Sequence, residues 1–147
     1  MNRAQRRGTE LRRELALAGR VDAEAVAAHL GLSVQPWTLD VQREFIMDGE
    51  IVIAERLDRE WRRWVIAHAI CHHLFHPGNH LAMRRHSQLP QPWEREAEQF
   101  ACALLVDGEE AQREGLGASW EIAEHFGVPD ELVREWWPFP GDRDARS

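Results

Sequence analysis

Residues 60–76 constrain this chain more than any other stretch. Trp61, Trp64, Val65, His68, Ile70, Cys71 and Phe75 recur there at three-to-four spacing, and no glycine or proline interrupts them before Pro77-Gly78. That pattern predicts one amphipathic helix with a built-in stop. His68 and His72 fall on its apolar stripe. Four residues apart on a helix, two imidazoles share one face one turn apart and can ligate a single cation in tetrahedral coordination. The chain holds eight histidines, and His72 and His76 repeat the spacing. This helix alone therefore leaves two readings open: a metal pair, or histidines that merely fill a helix face.

A second helix tips the balance. Residues 92–105 begin at Pro92, carry Glu94, Glu96 and Glu98 early, and end before Asp107-Gly108, which is the signature of a helix start and stop. Glu94, Ala97, Glu98, Ala101 and Leu105 share one stripe of it. Small alanines allow close helix packing, and Glu94 would then present one carboxylate oxygen beside the two imidazoles. Two histidines, one carboxylate and a fourth position left to water form the catalytic rather than the structural pattern for zinc. Glu98, one turn beyond Glu94, is placed to accept the free ring N–H of His68 or His72 and fix its tautomer. The competing reading of Glu94 and Glu98 is a solvated acidic helix start.

Position 69 breaks the pattern. In a hydrolytic site with this spacing the residue after the first histidine is glutamate, which moves a proton from the attacking water to the leaving amine. Ala69 stands there, and a methyl group does neither.

Residues 63–77 (Arg-Trp-Val-Ile-Ala-His-Ala-Ile-Cys-His-His-Leu-Phe-His-Pro), followed by Glu94-x-x-Ala97-x-x-Phe100-Ala101-x-x-Leu104-Leu105, resemble the ImmA/IrrE family of bacterial and phage zinc metallopeptidases. The resemblance covers residues 21–136 and is specific in the two helices. It implies a zincin-like site with Zn²⁺ on His68, His72 and Glu94, and cleavage of a repressor-type, helix-turn-helix transcription regulator as the usual activity. It also implies that Ala69 occupies the place of the general-base glutamate, so this chain is expected to be catalytically inactive. Glu98 stands where the family commonly has Asn, and Asp107 where a proline often follows the two leucines. Ala69 has two explanations. Either the chain is a natural non-catalytic module that sequesters a regulator, or a glutamate has been replaced in an otherwise complete site; the second is preferred because every neighbouring feature is kept.

The rest of the chain predicts an α+β fold: a small antiparallel sheet, the two-helix metal site and additional packing helices. Residues 1–20 read as a basic N-terminal arm or helix, 21–137 as a single metallopeptidase-like domain, and 138–147 as a disordered tail. A helix capped by Asp22 is expected to turn Ala25, Val26, His29 and Leu30 inward. Strands are expected over 32–39, 43–47 and 50–54, with Asp48-Gly49 as a hairpin turn. The outer strand, read as 51–54, would accept an extended substrate by main-chain pairing, or else be an ordinary edge. His76, His80 and His86 are candidates for oxyanion or substrate contacts, since the chain has no tyrosine to serve. His73 faces away from the ligand stripe.

Residues 119–137 have the spacing of a helix-turn-helix, but the second helix carries Asp130, Glu131 and Glu135 against Arg134, and acidic groups there would meet phosphates. With a formal net charge of −7, nucleic acid is disfavoured, and a protein substrate or regulator with basic character is the expected partner. Packing of Ile122, Phe126, Val128, Leu132 and Trp136 onto the domain is the preferred reading, and residues 136–140 suggest an exposed aromatic patch. Two cysteines, Cys71 and Cys102, imply no disulfide framework and read as small core residues. No segment suits a membrane span or a signal peptide, so a cytoplasmic location is expected.

Overall fold

Four helix starts are written into the sequence by a residue whose side chain satisfies an orphan N–H: Asn2, Asp22, Asp58 and Asp107. In the computed structural model, which describes residues 1–38, 44–47, 49–76 and 91–137, α1 (Arg3–Glu14) opens with a reciprocal capping box between Asn2 and Gln5. Asp22 caps α2 (Ala23–His29), accepting from Ala25 N–H at 3.1 Å. Asp58 caps α3 (Arg59–Phe75), accepting from Trp61 N–H at 3.0 Å. The helix that carries Glu94, α4 (Gln91–Leu105), is followed by α5 (Gly108–Arg113), α6 (Ser119–Phe126) and α7 (Asp130–Trp136). Gly127 ends α6 at φ 67°, a left-handed cap that a side chain would strain.

Strands β1 (Ser33–Trp37), β2 (Glu44–Met47) and β3 (Glu50–Ala54) form one sheet in the order β1-β3-β2. The expected hairpin is present: β2 and β3 are antiparallel, Met47 pairs with Glu50, and Gly49 takes φ 81° at the turn. The expectation of a wholly antiparallel sheet needs correction, because β1 pairs with β3 in parallel, Val34 opposite Ile51 and Pro36 opposite Ile53. The reason lies in the side chains. Ile51, Val52, Ile53 and Ala54 are all buried, which suits a central strand, whereas Pro36 lacks the N–H a central strand must donate and belongs on an edge. The same fact overturns the reading of 51–54 as an outer strand open to substrate; the edges are β1 and β2.

One apolar core joins the sheet, α3, α4 and α1. Leu11, Ile53, Trp64, Ile70, Phe100, Leu104 and Phe126 are fully buried within it. α1 crosses α4 closely at Gly8, where a Cβ would lie 2.9 Å from both Ala103 Cβ and the Phe100 carbonyl oxygen. Arg12 is buried beneath that crossing and donates to the Leu104 carbonyl at the C-terminal end of α4, where a cation opposes the helix dipole. In α2 the inward residues are Ala23, Val26 and Ala27; Ala25 and His29 are exposed, so the buried face sits differently from the expected one. The α6–α7 pair buries Ile122, Phe126, Val128 and Leu132 as expected, but Trp137 is 8 % exposed, so the anticipated aromatic patch loses it to the core. Residues 138–140 of that patch and the expected tail at 138–147 lie outside the described residues.

Candidate metal centre

α3 and α4 lie side by side and bring three side chains to one point. His68 and His72 project from consecutive turns of α3, with ring centroids 4.7 Å apart, because four residues advance the helix by about one turn. Glu94, in the first turn of α4, faces both. His68 Nε2 lies 3.3 Å from Glu94 Oε2, and His72 Nε2 lies 3.0 Å from Glu94 Oε1. One ligand atom from each of the three residues lies within 4.8 Å of the others, the only such grouping of metal-ligating side chains among the described residues. Both histidines are 1 % exposed, while the Glu94 side chain is 28 % exposed. The centre is therefore buried on the α3 side, and Glu94 is its partly exposed member.

Burial gives these groups the charge states a cation needs. It lowers the His72 pKa to about 4, against the opposing pull of the facing Glu94 carboxylate, so the ring is neutral at neutral pH. Burial raises the Glu94 carboxyl, but the two histidines that face it outweigh burial and hold the group below its ordinary range. A neutral imidazole edge facing an ionised carboxylate at 3.0 Å suits a divalent cation bridging them. Two nitrogens and one oxygen are the donors such a cation takes when a further coordination position stays open.

The other expected residues fall out as follows. Ala69 is fully buried beside His68, and its methyl offers no proton acceptor. His73 is exposed on the opposite side of α3. Glu98, expected as a tautomer-fixing partner of a ligand histidine, accepts from the Trp136 indole N–H at 2.8 Å. His76, expected near substrate, is 1 % exposed, and its Nδ1 and Nε2 lie 2.8 Å from His72 Nδ1 and Glu96 Oε1 respectively. His80 and His86 lie outside the described residues. Cys71 is a buried core thiol, pushed up out of its ordinary range mainly by burial, as a packing role requires.

Glu96 and Arg3 escaped the sequence reading. Arg3 holds Glu96 through two hydrogen bonds, Nε to Oε2 at 2.7 Å and Nη2 to Oε1 at 3.0 Å. Nothing local announces it, because the two residues are 93 positions apart.

Comparison with known proteins now has a geometry to stand on. The family described as the IrrE N-terminal-like domain, peptidase M78, matches residues 24–136, a stretch that contains both α3 and α4. Among solved structures, a Mycobacterium tuberculosis transcriptional regulator resembles the fold with a TM-score of 0.62 at 18 % identity, over 88 % of this chain. The match spans 44 % of that protein's length. No curated protein sequence matches the chain.

Proposed function

The chain belongs to the IrrE N-terminal-like family of M78 peptidases, and from that premise we propose that it holds one Zn²⁺ on His68, His72 and Glu94 and uses this centre to engage a repressor-type transcription regulator. The observation that carries the reading is the convergence of those three side chains within 4.8 Å across α3 and α4. When bound, Zn²⁺ supplies Lewis-acid polarisation of a peptide carbonyl and of a water. His68 and His72 hold the cation as neutral donors, and Glu94 contributes the one negative charge, leaving a net positive centre for an electron-rich carbonyl. Glu94, as the partly exposed ligand, marks the side from which a peptide reaches the site.

Peptide hydrolysis also needs a proton carrier beside the attacking water. Ala69 occupies that place and carries none, so this chain binds its partner without efficient cleavage. Loss of a general base costs about 10²–10⁴ in rate, which makes Ala69→Glu the informative change. The description of the Mycobacterium tuberculosis neighbour as a transcriptional regulator is in keeping with a regulatory setting, and the likeness itself is one of fold.

A second reading, a natural non-catalytic module that sequesters a regulator, is favoured by Ala69 alone. A DNA-binding role for α6–α7 is disfavoured because its apolar face is buried in the domain and Arg134 is paired with Asp130 at 3.0 Å. The test measures metal content of the chain and of a His68→Ala/His72→Ala variant, with a cleavage assay of Ala69→Glu against candidate repressors. One zinc that is lost in the double variant, with cleavage gained by Ala69→Glu, supports the peptidase reading. Zinc without cleavage favours the sequestering module, and no zinc refutes both.

A further inference from the structure

Beyond the three ligands, a continuous line of hydrogen bonds leaves His72 and ends on the first turn of the molecule. His72 Nδ1 lies 2.8 Å from His76 Nδ1, and His76 Nε2 lies 2.8 Å from Glu96 Oε1. Arg3 closes the line with its two bonds to Glu96, 2.7 and 3.0 Å long. His76 is clamped in place: 1 % exposed, it stacks on Trp93 at 4.6 Å with 8° between the rings. The Arg3 guanidinium rests over the Phe75 ring at 4.6 Å.

For a neutral His76, the direction of every proton in this line follows from its far end. A carboxylate held by arginine only accepts, so His76 Nε2 must donate to Glu96. A neutral imidazole with its proton on Nε2 has a bare Nδ1, which must then accept from His72 Nδ1–H. That places the proton of His72 on Nδ1 and leaves its Nε2 lone pair facing Glu94 and the metal position, 3.0 Å from Glu94 Oε1. We propose that Arg3, Glu96 and His76 are positioning residues that fix the metal-binding tautomer and ring orientation of His72, so that α1 holds one ligand of the centre. This inference rests on the metal reading above and deepens it. Arg3 precedes residues 24–136, the part of the chain that the family match covers, so the tether is supplied from outside that stretch.

The experiment uses the full chain and Zn²⁺ as the probe. Long-range ¹H–¹⁵N spectra of the zinc-loaded chain are expected to show His72 metal-bound through Nε2 with its proton on Nδ1, and His76 protonated on Nε2. Competition with a chromophoric chelator is expected to show Zn²⁺ bound about 10- to 100-fold more weakly by Glu96→Leu, and Arg3→Met, altered at an exposed side chain, intermediate between it and the unaltered chain. A variant that only loosened the fold would lower Tm and leave the His72 tautomer unchanged. His76 protonated on Nδ1 in the unaltered chain, or Zn²⁺ affinity in a folded Glu96→Leu within about twofold of the unaltered chain, overturns the proposal while leaving the metal reading intact. Failure of the unaltered chain to take Zn²⁺ overturns both.

Discussion

A buried carboxylate needs a reason, and Glu110 has one that titrates. Its two oxygens accept from Gly19 N–H at 3.1 and 3.0 Å, and Oε2 lies 2.6 Å from His125 Nε2. Burial raises its pKa, yet the Gly19 and His125 hydrogen bonds bring it below the ordinary glutamate value. A carboxyl lowered in the folded state adds stability that is present above its unfolded pKa and is lost as the pH falls through the folded one. Glu110→Gln keeps the shape and removes the charge. Hydrogen bonds to charged groups are worth roughly 1.5–3 kcal/mol, so the variant is expected to melt several degrees lower at neutral pH, and the gap should close as the pH falls below about 4. Thermal unfolding followed across that pH range checks this; a gap of constant size would show that volume and packing, not charge, make Glu110 matter. The proposed metal ligand Glu94 obeys the same physics, since it also stays ionised because of its histidine neighbours. Replacing it with Gln should therefore weaken Zn²⁺ binding and, by the same linkage, lower Tm of the metal-free chain at neutral pH, which titration and melting of one sample would decide.

Among the elements, those whose contacts are local were the legible ones. Helix α3 is announced by apolar spacing and the Pro77-Gly78 stop, α4 by Pro92 and the early glutamates, and the hairpin by Asp48-Gly49; the observed bounds 59–75 and 91–105 differ from the expected ones by a residue. The convergence of His68, His72 and Glu94 was read from spacing and resemblance together. Parallel pairing of β1 was not legible, because register between strands separated by a hairpin depends on which strand is most buried, and Pro36 gave the only local hint of an edge. The crossing of α1 over α4 was equally hidden, although Gly8 is its signature in hindsight. In an exposed helix, Gly→Ala gains up to about 1 kcal/mol. Here the new Cβ would meet Ala103 Cβ and Phe100 O at 2.9 Å and Leu104 N at 3.0 Å, and backbone atoms do not yield cheaply. Overpacking of about 1–3 kcal/mol outweighs the propensity gain, so Gly8→Ala should lower Tm by a few degrees. A rise in Tm would mean that the two helices separate freely.

At the scale of the whole molecule, the position of α1 decides what the stable unit is. The family match begins at residue 24, yet Ala4 and Leu11 are fully buried in the common core. Asn2 reaches Gln99 at 2.6 Å, Arg3 reaches Glu96, and Arg12 reaches Leu104. Removing residues 1–20 would uncover the side of α4 that carries Phe100, Ala103 and Leu104. Burial of Leu11 alone is worth about 1.5–3 kcal/mol, and the uncovered α4 surface adds to that, against a total folding stability of about 5–15 kcal/mol for a domain of ordinary stability. The truncated chain is therefore expected to lose its sharp thermal transition and to bind a hydrophobic dye such as ANS, as loosely packed states do. Surface charge gives no such expectation: the Arg3 side chain is 58 % exposed, and exposed ion pairs contribute little to stability. Raising the salt concentration on the intact chain should accordingly leave Tm nearly unchanged while truncation collapses it. If the order were reversed, with salt harmful and truncation harmless, α1 would be a tethered basic arm and the core would end at α2.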